Sequence, residues 1–471
     1  MCRAKSVNQT TDPIEILKKS PMFNLSLSSK ELFHSNFLYW LSLINRDAFK
    51  KLIQGLLNNN IELDWGEQWE VSREYKSFDL CVMDKSDESI DPCAELEQNN
   101  TKNRPKIYLV IENKVKSIPY KAQLDKYVGK VKEHYGKRGG KAAELVKYML
   151  LTLPTFFPDA PIIDKNNNQN PLMGCWEVVT YSKYIEILKS IKGEFSREHS
   201  SYVGEIIDDY ISFVENLLVL YQHWNDRCYN DLGFDSDRND EIGKCIKAAE
   251  NLRIHDLYHK SKYARICTEI INKVVGEVEK SNLKGKVQYA INWGDKKLFE
   301  AVEGNKNSVY VHWDYGYLHG APLVGAKVAK FHEDKNIIYI IQVQSGVYEH
   351  GVIAKVKNGN NELWQYVENN LDANVFKVGN YPWMRYEEFD QDGKLSNITE
   401  VINGDIFEDN GALYPESKKR QDSLPYYKYE SSNSQIAMIY QCRKLKTDVK
   451  TKALIDYLAN DILELLKELT K

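Results

Sequence analysis

Two carboxylates and a lysine interrupt short apolar runs in the first half of this 471-residue chain. Asp79 lies in the run 78–82, and Glu112 and Lys114 follow the run 107–111. A carboxylate beside a buried strand is unfavourable unless it is paired, hydrogen-bonded or bound to a cation. Carboxylate oxygens suit Mg²⁺, which binds proteins through one or two acidic side chains together with substrate phosphates. The pattern therefore predicts a Mg²⁺ site at Asp79 and Glu112, in which Mn²⁺ substitutes.

Lys114 follows Glu112 by two residues, and the period of a strand places both side chains on one face. Its amine would lie beside an attacking water and a phosphate. There it could position or deprotonate the water and stabilise the developing negative charge. The backbone carbonyl of Asn113, between them, is a further candidate metal ligand.

Gln123 and Tyr127 lie four residues apart in the segment 119–135, where the sequence predicts a helix that Gly136 ends. Side chains at this spacing share one face of a helix. If the helix packs beside the strand ends, Gln123 could contact the phosphate or a water of the metal, and Tyr127 could hydrogen-bond the phosphate backbone. Both are candidate catalytic residues.

The combination D…ENK…QxxxY resembles the PD-(D/E)XK nuclease superfamily. It most resembles a bacterial branch in which a helix reading SSKELFHSNFLYWL precedes a strand with RE…FDL. The similarity covers roughly residues 25–220. It implies that Asp79 and Glu112 bind a divalent metal, that Lys114 is the catalytic lysine, and that the reaction is phosphodiester hydrolysis. One departure is that Ser77 and Phe78 stand before Asp79, where the family pattern has a proline.

The resemblance carries two further expectations. Acidic residues on a helix recur in this superfamily, which makes Glu31 a candidate metal ligand. The alternative for Glu31 is a capping-box carboxylate in the pattern Ser28–Glu31. Bacterial relatives of this type often act in defence against foreign DNA, so the resemblance implies DNA as the substrate.

Local charge agrees with a nucleic-acid substrate, although the whole chain has a formal net charge of −4. Residues 114–147 contain ten Lys or Arg residues and three acidic ones. A basic segment beside the predicted site is where a phosphate backbone could lie. We therefore predict nucleic-acid contacts for four lysines, Lys116, Lys121, Lys126 and Lys130. The alternative is an ordinary solvated helix face.

Hydrophobic periodicity predicts the elements that must position these residues. Helices are expected at about 28–45, from there to about 58, at 119–135 and at 200–224. Strands are expected within 69–84, at 107–111, at 145–153 and at 176–181, and residues 85–105 have the polar composition of an exposed loop. This order predicts an α/β fold with a mixed sheet flanked by helices, and the resemblance implies the restriction-endonuclease-like type.

A polar, aspartate-rich stretch at 225–240 predicts a domain boundary. We divide the chain into an N-terminal extension (1–24), a PD-(D/E)XK-like nuclease domain (25–225), a linker (226–240) and an α+β recognition or regulatory domain (241–471). The last of these is expected to contain helix at 241–281, an antiparallel sheet at 286–357 and an amphipathic helix at 447–470.

The remaining composition is that of a cytoplasmic protein. Eight scattered cysteines without a CxxC pair indicate reduced thiols. No signal peptide and no run of about 18 apolar residues is evident, so we expect no membrane contact. DNA is the expected partner, and the C-terminal domain could also bind a protein or form a homo-oligomer.

Each candidate has a structural alternative that the sequence leaves open. Asp79 could pair with Arg73, and Glu112 with Lys114 could form a solvent-facing ion pair of no function. The glutamine and tyrosine could lie on an inert surface helix. The rival function is a catalytically silent fold that binds nucleic acid or protein. A second rival is an enzyme that cleaves RNA or a nucleotide.

Overall fold

The chain divides into two compact units that interleave in sequence. The first contains Met1–Asp226 and Cys245–Ser261, and the second contains Arg227–Lys244 and Lys262–Lys471. This division does not test the nuclease and recognition roles, so the domains assigned from the sequence remain predictions. The computed structural model describes residues 11–26, 30–57, 65–84, 105–119, 121–136, 140–155, 175–197, 201–226, 228–232, 240–291, 295–318, 321–332, 335–355, 377–378, 381–382, 406, 427–431 and 436–470.

A five-stranded mixed sheet forms the centre of the first unit, in the order β1-β2-β3-β4-β5. The first three strands pair antiparallel, whereas β3, β4 and β5 pair parallel. The strands are β1 (Trp69–Arg73), β2 (Leu80–Asp84), β3 (Ile107–Lys114), β4 (Lys147–Thr152) and β5 (Trp176–Thr180). The mixed α/β sheet predicted from the sequence is confirmed.

The central strand β3 is buried along its whole length. Its β-branched and apolar residues suit a strand covered on both faces. Because Glu112, Asn113 and Lys114 end this strand, their polar groups also lie inside the protein. Burial on this scale requires hydrogen-bonding or ionic partners, which the flanking helices supply.

Eight helices of the described residues lie within the first 226 positions. They are α1 (Thr11–Lys19), α2 (Pro21–Leu25), α3 (Glu31–Ile44), α4 (Arg46–Leu56), α5 (Lys121–Tyr135), α6 (Gly140–Leu145), α7 (Tyr181–Ser196) and α8 (Ser201–Asp226). Local sequence sets several ends. Asn45 accepts a hydrogen bond from the Ala48 N–H and caps α4, and Thr180 caps α7 through the Lys183 N–H. Gly136, at φ 66°, ends α5.

Some predicted elements differ from the structure. The helix α7 was not expected from the sequence. The helix α3 begins at Glu31 with Lys30 as its N-cap, so the capping-box prediction for Glu31 is wrong in this structure. Ser28 lies outside the described residues, as does most of the predicted loop at 85–105.

The second unit is built on a seven-stranded sheet in the order β13-β14-β10-β9-β8-β7-β6. Most pairs are antiparallel, as expected, but β6 and β7 run parallel, with the helix Asp295–Gly304 in the connection between them. Its strands are β6 (Val287–Ile291), β7 (Val309–Leu318), β8 (Ala321–His332), β9 (Lys335–Gln344), β10 (Val347–Lys355), β13 (Tyr427–Ser431) and β14 (Ile436–Lys444), beside a small pair β11 (Lys377–Val378) and β12 (Tyr381–Pro382).

Four helices complete the described chain, namely α9 (Glu241–Asn251), α10 (His255–Glu279), α11 (Asp295–Gly304) and α12 (Thr451–Leu469). The amphipathic C-terminal helix predicted at 447–470 is present as α12, and its apolar face is buried. Within the described ranges, no helix combines the length and the apolar character that crossing a membrane requires.

Candidate active site

Asp79 stands between a tight turn and the first residue of β2. The turn contains three non-glycine residues in the left-handed region, Glu74, Lys76 and Ser77, with φ of 56°, 53° and 69°. Such conformations are costly for non-glycine residues and gather at functional sites. The alternative ion pair between Asp79 and Arg73 is not formed. The Arg73 guanidinium instead donates to Asn36 Oδ1 at 2.8 Å.

The carboxylate of Asp79 accepts the backbone N–H of Asn113, with 2.8 Å between Oδ2 and nitrogen. The strand β2 pairs with β3 only as far as Leu80 opposite Ile111. The Asp79 side chain therefore takes the place of the next strand partner of β3. This contact brings Asp79 to the strand end that carries Glu112 and Lys114.

Glu112 and Lys114 lie side by side at the end of β3. The Lys114 amine is 2.7 Å from Glu112 Oε1, and the two side chains are 9% and 1% exposed, respectively. The two residues do form an ion pair, but it is buried and not solvent-facing. A buried ion pair of this kind is poor evidence for stability, since desolvation offsets the attraction between the charges. Its burial instead fits a site that a substrate or cation completes.

The helix α5 holds Glu112 from the side. Gln123 donates its amide to Glu112 Oε1 at 3.0 Å and to the Tyr127 hydroxyl at 2.9 Å. The Tyr127 hydroxyl itself lies 3.5 Å from the same carboxylate oxygen. Gln123 and Tyr127 thus lie on one face of α5, as their spacing predicted. Both side chains contact Glu112, and their direct contact with a phosphate remains a prediction.

Glu31, the first residue of α3, reaches the segment that follows β3. Its Oε1 accepts hydrogen bonds from the N–H of Val115 at 3.3 Å and the N–H of Ser117 at 3.0 Å, and the Ser117 hydroxyl donates to it as well. Its other oxygen lies 3.7 Å from the Lys114 amine. Glu31 therefore fixes the segment 115–117 and contributes a third carboxylate to the surroundings of Lys114.

Electrostatics at this cluster follow from burial and from the crowding of charges. Burial and the Asp79 carboxylate raise the pKa of Glu112 to about 7, against the opposing effect of Lys114. Burial also raises the pKa of Asp79, although its hydrogen bond from Asn113 opposes the shift. Burial alone would lower the pKa of Lys114, but the carboxylates of Glu31 and Glu112 outweigh it and raise that pKa. Lys114 is thus an ammonium at neutral pH.

One oxygen of this cluster has no partner. Glu112 Oε2 is buried and makes no hydrogen bond to any described residue. A buried carboxylate oxygen left in this state costs free energy, and a cation removes that cost. The donor set, two carboxylates and a backbone carbonyl, is the oxygen-only type that Mg²⁺ and Mn²⁺ prefer. Asp79, Glu112 and the predicted carbonyl of Asn113 therefore fit a divalent cation.

The four lysines predicted to contact nucleic acid lie in different surroundings. Lys116 donates to the carbonyl of Arg253 at 2.9 Å and pairs with Asp256 at 3.4 Å, both of which belong to the first unit. Lys130 donates to the carbonyl of Lys76 at 2.6 Å. These two amines have protein partners that the sequence did not indicate. Lys126 is exposed on α5, and the side chain of Lys121 lies outside the described residues.

Three residues that contact the site were missed in the sequence, one of which is Ser35, whose hydroxyl accepts from Asn113 Nδ2 at 3.3 Å. Ser117 binds Glu31, as described above. Tyr181, the first residue of α7, donates its hydroxyl to Asn113 Oδ1 at 2.6 Å. The only signal for Tyr181 was its position directly after an apolar strand, which also suits a core aromatic residue.

A known family matches the part of the chain that contains these residues. Residues 22–212 match the model of a family described as the PD-(D/E)XK nuclease superfamily. That range contains α3, the whole five-stranded sheet and all of Glu31, Asp79, Glu112, Lys114, Gln123 and Tyr127. No curated protein matches the chain. The restriction-endonuclease-like fold expected from the sequence is confirmed.

Proposed function

Because residues 22–212 match the model of the PD-(D/E)XK nuclease superfamily, we propose that this protein is a metal-dependent nuclease that hydrolyses phosphodiester bonds of DNA. The observation that carries the proposal is the unpartnered Oε2 of Glu112, a buried carboxylate oxygen beside Asp79 and the Lys114 ammonium. Glu112 and Lys114 are buried together at the end of β3, and the half-buried Asp79 is held beside them by the Asn113 N–H.

The residues divide the chemistry among themselves. Asp79, Glu112 and the Asn113 carbonyl would hold the divalent cation, for which Mg²⁺ is the proposed ion. When bound, the cation polarises a phosphate oxygen and makes water a stronger nucleophile. Gln123 and Tyr127 keep Glu112 in place through the contacts described above.

Lys114 supplies positive charge where the phosphate becomes more negative during the reaction. As an ammonium, it donates hydrogen bonds to phosphate oxygens and orients the attacking water. Of the two roles expected from the sequence, this is charge stabilisation, and deprotonation of the water remains the alternative.

The substrate class rests on charge and on family. The basic segment 114–147 surrounds the site in sequence, and Lys126 is exposed on the helix that carries Gln123 and Tyr127. Phosphate contacts of this kind bind nucleic acid without regard to sequence. DNA rather than RNA, and a role in defence against foreign DNA, follow from the resemblance alone.

A cleavage assay tests the proposal. Purified protein is incubated with DNA, RNA and mononucleotides in the presence of Mg²⁺, Mn²⁺ or EDTA. The matched variants are Glu112→Gln at the site and Glu144→Gln, an exposed glutamate on α6. Metal-dependent DNA cleavage that Glu112→Gln abolishes and Glu144→Gln keeps is the expected result.

Other outcomes distinguish the rivals. Cleavage of RNA or mononucleotides in preference to DNA would move the substrate class. Binding of nucleic acid without cleavage under every metal condition would favour the catalytically silent fold. Cleavage that persists in Glu112→Gln would place the activity elsewhere and overturn the proposed site.

A further inference from the structure

The side chain of Asn113 faces the opposite way from its two neighbours. Glu112 and Lys114 share one face of β3, and the alternation of a strand places Asn113 on the other. There it is completely buried. Its Oδ1 accepts the Tyr181 hydroxyl at 2.6 Å, and its Nδ2 donates to the Ser35 hydroxyl at 3.3 Å. The amide is thus held from both ends inside the core.

The backbone of the same residue is what orients Asp79. The N–H of Asn113 donates to Asp79 Oδ2 at 2.8 Å, beyond the last pairing of β2 with β3. At this point β4 pairs with β3 on one side, where Asn113 lies opposite Leu151, but β2 does not pair on the other. The Asn113 side chain therefore adds to what fixes this peptide. The Asn113 side chain thus holds the Asn113 peptide, and the N–H of that peptide orients the Asp79 carboxylate.

Tyr181 is suited to this role by its surroundings. It is the first residue of α7, directly after β5, and Thr180 caps that helix. Its ring is fully buried and packs against His34, with 5.5 Å between the ring centroids. Burial raises the pKa of Tyr181 well above its ordinary value, so the hydroxyl keeps its proton and remains a donor. The hydroxyl is therefore available as the donor to Asn113 Oδ1.

We propose that Tyr181 is a positioning residue of the metal site, which acts through Asn113 to hold Asp79 in the orientation that binds a divalent cation. The proposal rests on the proposed function, because it assigns a role toward the same cation. Groups that orient metal ligands without touching the metal commonly change metal affinity by about 10–100-fold when they are lost. Tyr181 belongs to this class of residue and does not touch the substrate.

The test compares Tyr181→Phe with Tyr184→Phe in the full chain. Tyr184 lies three residues further along α7, its ring is equally buried, and its hydroxyl takes no part in the hydrogen bonds of the Asn113 side chain. Mn²⁺ affinity is measured by titration calorimetry on the metal-free protein. We expect Tyr181→Phe to bind Mn²⁺ at least about tenfold more weakly than wild type, and Tyr184→Phe to bind it as wild type does.

Two results would overturn the proposal. One is an unchanged Mn²⁺ affinity in Tyr181→Phe. The other is an equal loss in both variants, which would mean that a general loosening of the core and not the contact with Asn113 is responsible. If Tyr181→Phe does not fold, Ser35→Ala decides, since it removes the other hydrogen bond of the same amide. Weaker Mn²⁺ binding by Ser35→Ala then supports the proposal, and unchanged binding overturns it.

The design separates this inference from the nuclease proposal. Glu112→Gln serves as the reference for loss of the metal site. If wild type binds Mn²⁺, Glu112→Gln does not, and no nucleic acid is cleaved, the nuclease proposal fails while the effect of Tyr181→Phe is still read. If wild type cleaves DNA and Tyr181→Phe keeps full Mn²⁺ affinity, only the positioning role fails. If wild type binds no Mn²⁺, both are overturned.

Discussion

The buried histidine behind the site makes acid stability a sensitive test of the packing around β3. His34 on α3 is completely buried, and burial lowers its pKa from 6.5 to about 3. Its Nδ1 lies 2.9 Å from the Tyr210 hydroxyl, and its ring packs against Tyr181. A neutral imidazole is therefore part of the core that holds the helices against the sheet.

The size of the effect follows from proton linkage. In the unfolded chain His34 binds a proton below about pH 6.5, whereas in the folded protein it stays neutral down to about pH 3. The free energy of unfolding therefore falls as the pH falls from 6.5 to 3. Each pH unit costs about 1.36 kcal/mol. At pH 5, about 1.5 units below the ordinary pKa, His34 alone therefore removes roughly 2 kcal/mol of stability.

The perturbation that isolates this loss is His34→Asn, which keeps a hydrogen-bond acceptor near Tyr210 and removes the titration. Its smaller volume costs stability at every pH, so only the change with pH is informative. Denaturant unfolding of both proteins is measured at pH 7.5 and pH 5.0. We expect wild type to lose about 2 kcal/mol more than the variant over this interval. Parallel losses would show that His34 titrates normally and would refute the burial argument.

Three further outcomes are expected. Lys114→Gln removes the ammonium beside the phosphate and should lower DNA cleavage by about 100-fold or more with Mn²⁺ binding retained, as cleavage and calorimetry would show. Tyr127→Phe removes only the hydroxyl 3.5 Å from Glu112, so cleavage should fall by less than about tenfold in the same assay. Gly325→Ala should destabilise the second unit by more than about 2 kcal/mol in thermal unfolding, because the added Cβ would overlap the Ile341 carbonyl oxygen and the Gln342 backbone of the neighbouring strand. Wild-type behaviour in Lys114→Gln or Gly325→Ala would contradict the corresponding reasoning, and so would a fall of more than about tenfold in Tyr127→Phe.

The site was predictable because strand geometry is short-range. Alternation places Glu112 and Lys114 on one face, and helical spacing places Gln123 and Tyr127 on one face, whatever the rest of the fold does. The cost of burying a charge then indicated that Glu112 and Lys114 need a partner or a cation nearby. The contacts of Gln123 and Tyr127 with Glu112 confirm that α5 packs beside the end of β3.

The partners of the lysines could not be predicted in the same way. Lys116 binds Arg253 and Asp256, which lie far along the chain, and no local pattern indicates so distant a contact. Charge alone is compatible with a phosphate, a carboxylate or a carbonyl. The distribution of Lys and Arg therefore predicted a basic segment but not which of its amines are available.

Two features of the fold were missed for related reasons. The segment 181–196 has apolar residues at helical spacing and a threonine cap, but its aromatic start extends the apolar pattern of β5. In the second unit, the direction of β6 relative to β7 depends on the connection through α11, because parallel strands need a crossover. Alternation along a strand carries no information about the direction of its neighbour.

The most direct test of the central claim is a crystal structure of the protein soaked in Mn²⁺, with anomalous diffraction used to locate the ion. We predict a single strong peak between the carboxylates of Asp79 and Glu112, with oxygen ligands at about 2.1 Å. No peak at these carboxylates at saturating Mn²⁺, or side chains of Asp79 and Glu112 that point away from each other, would contradict it.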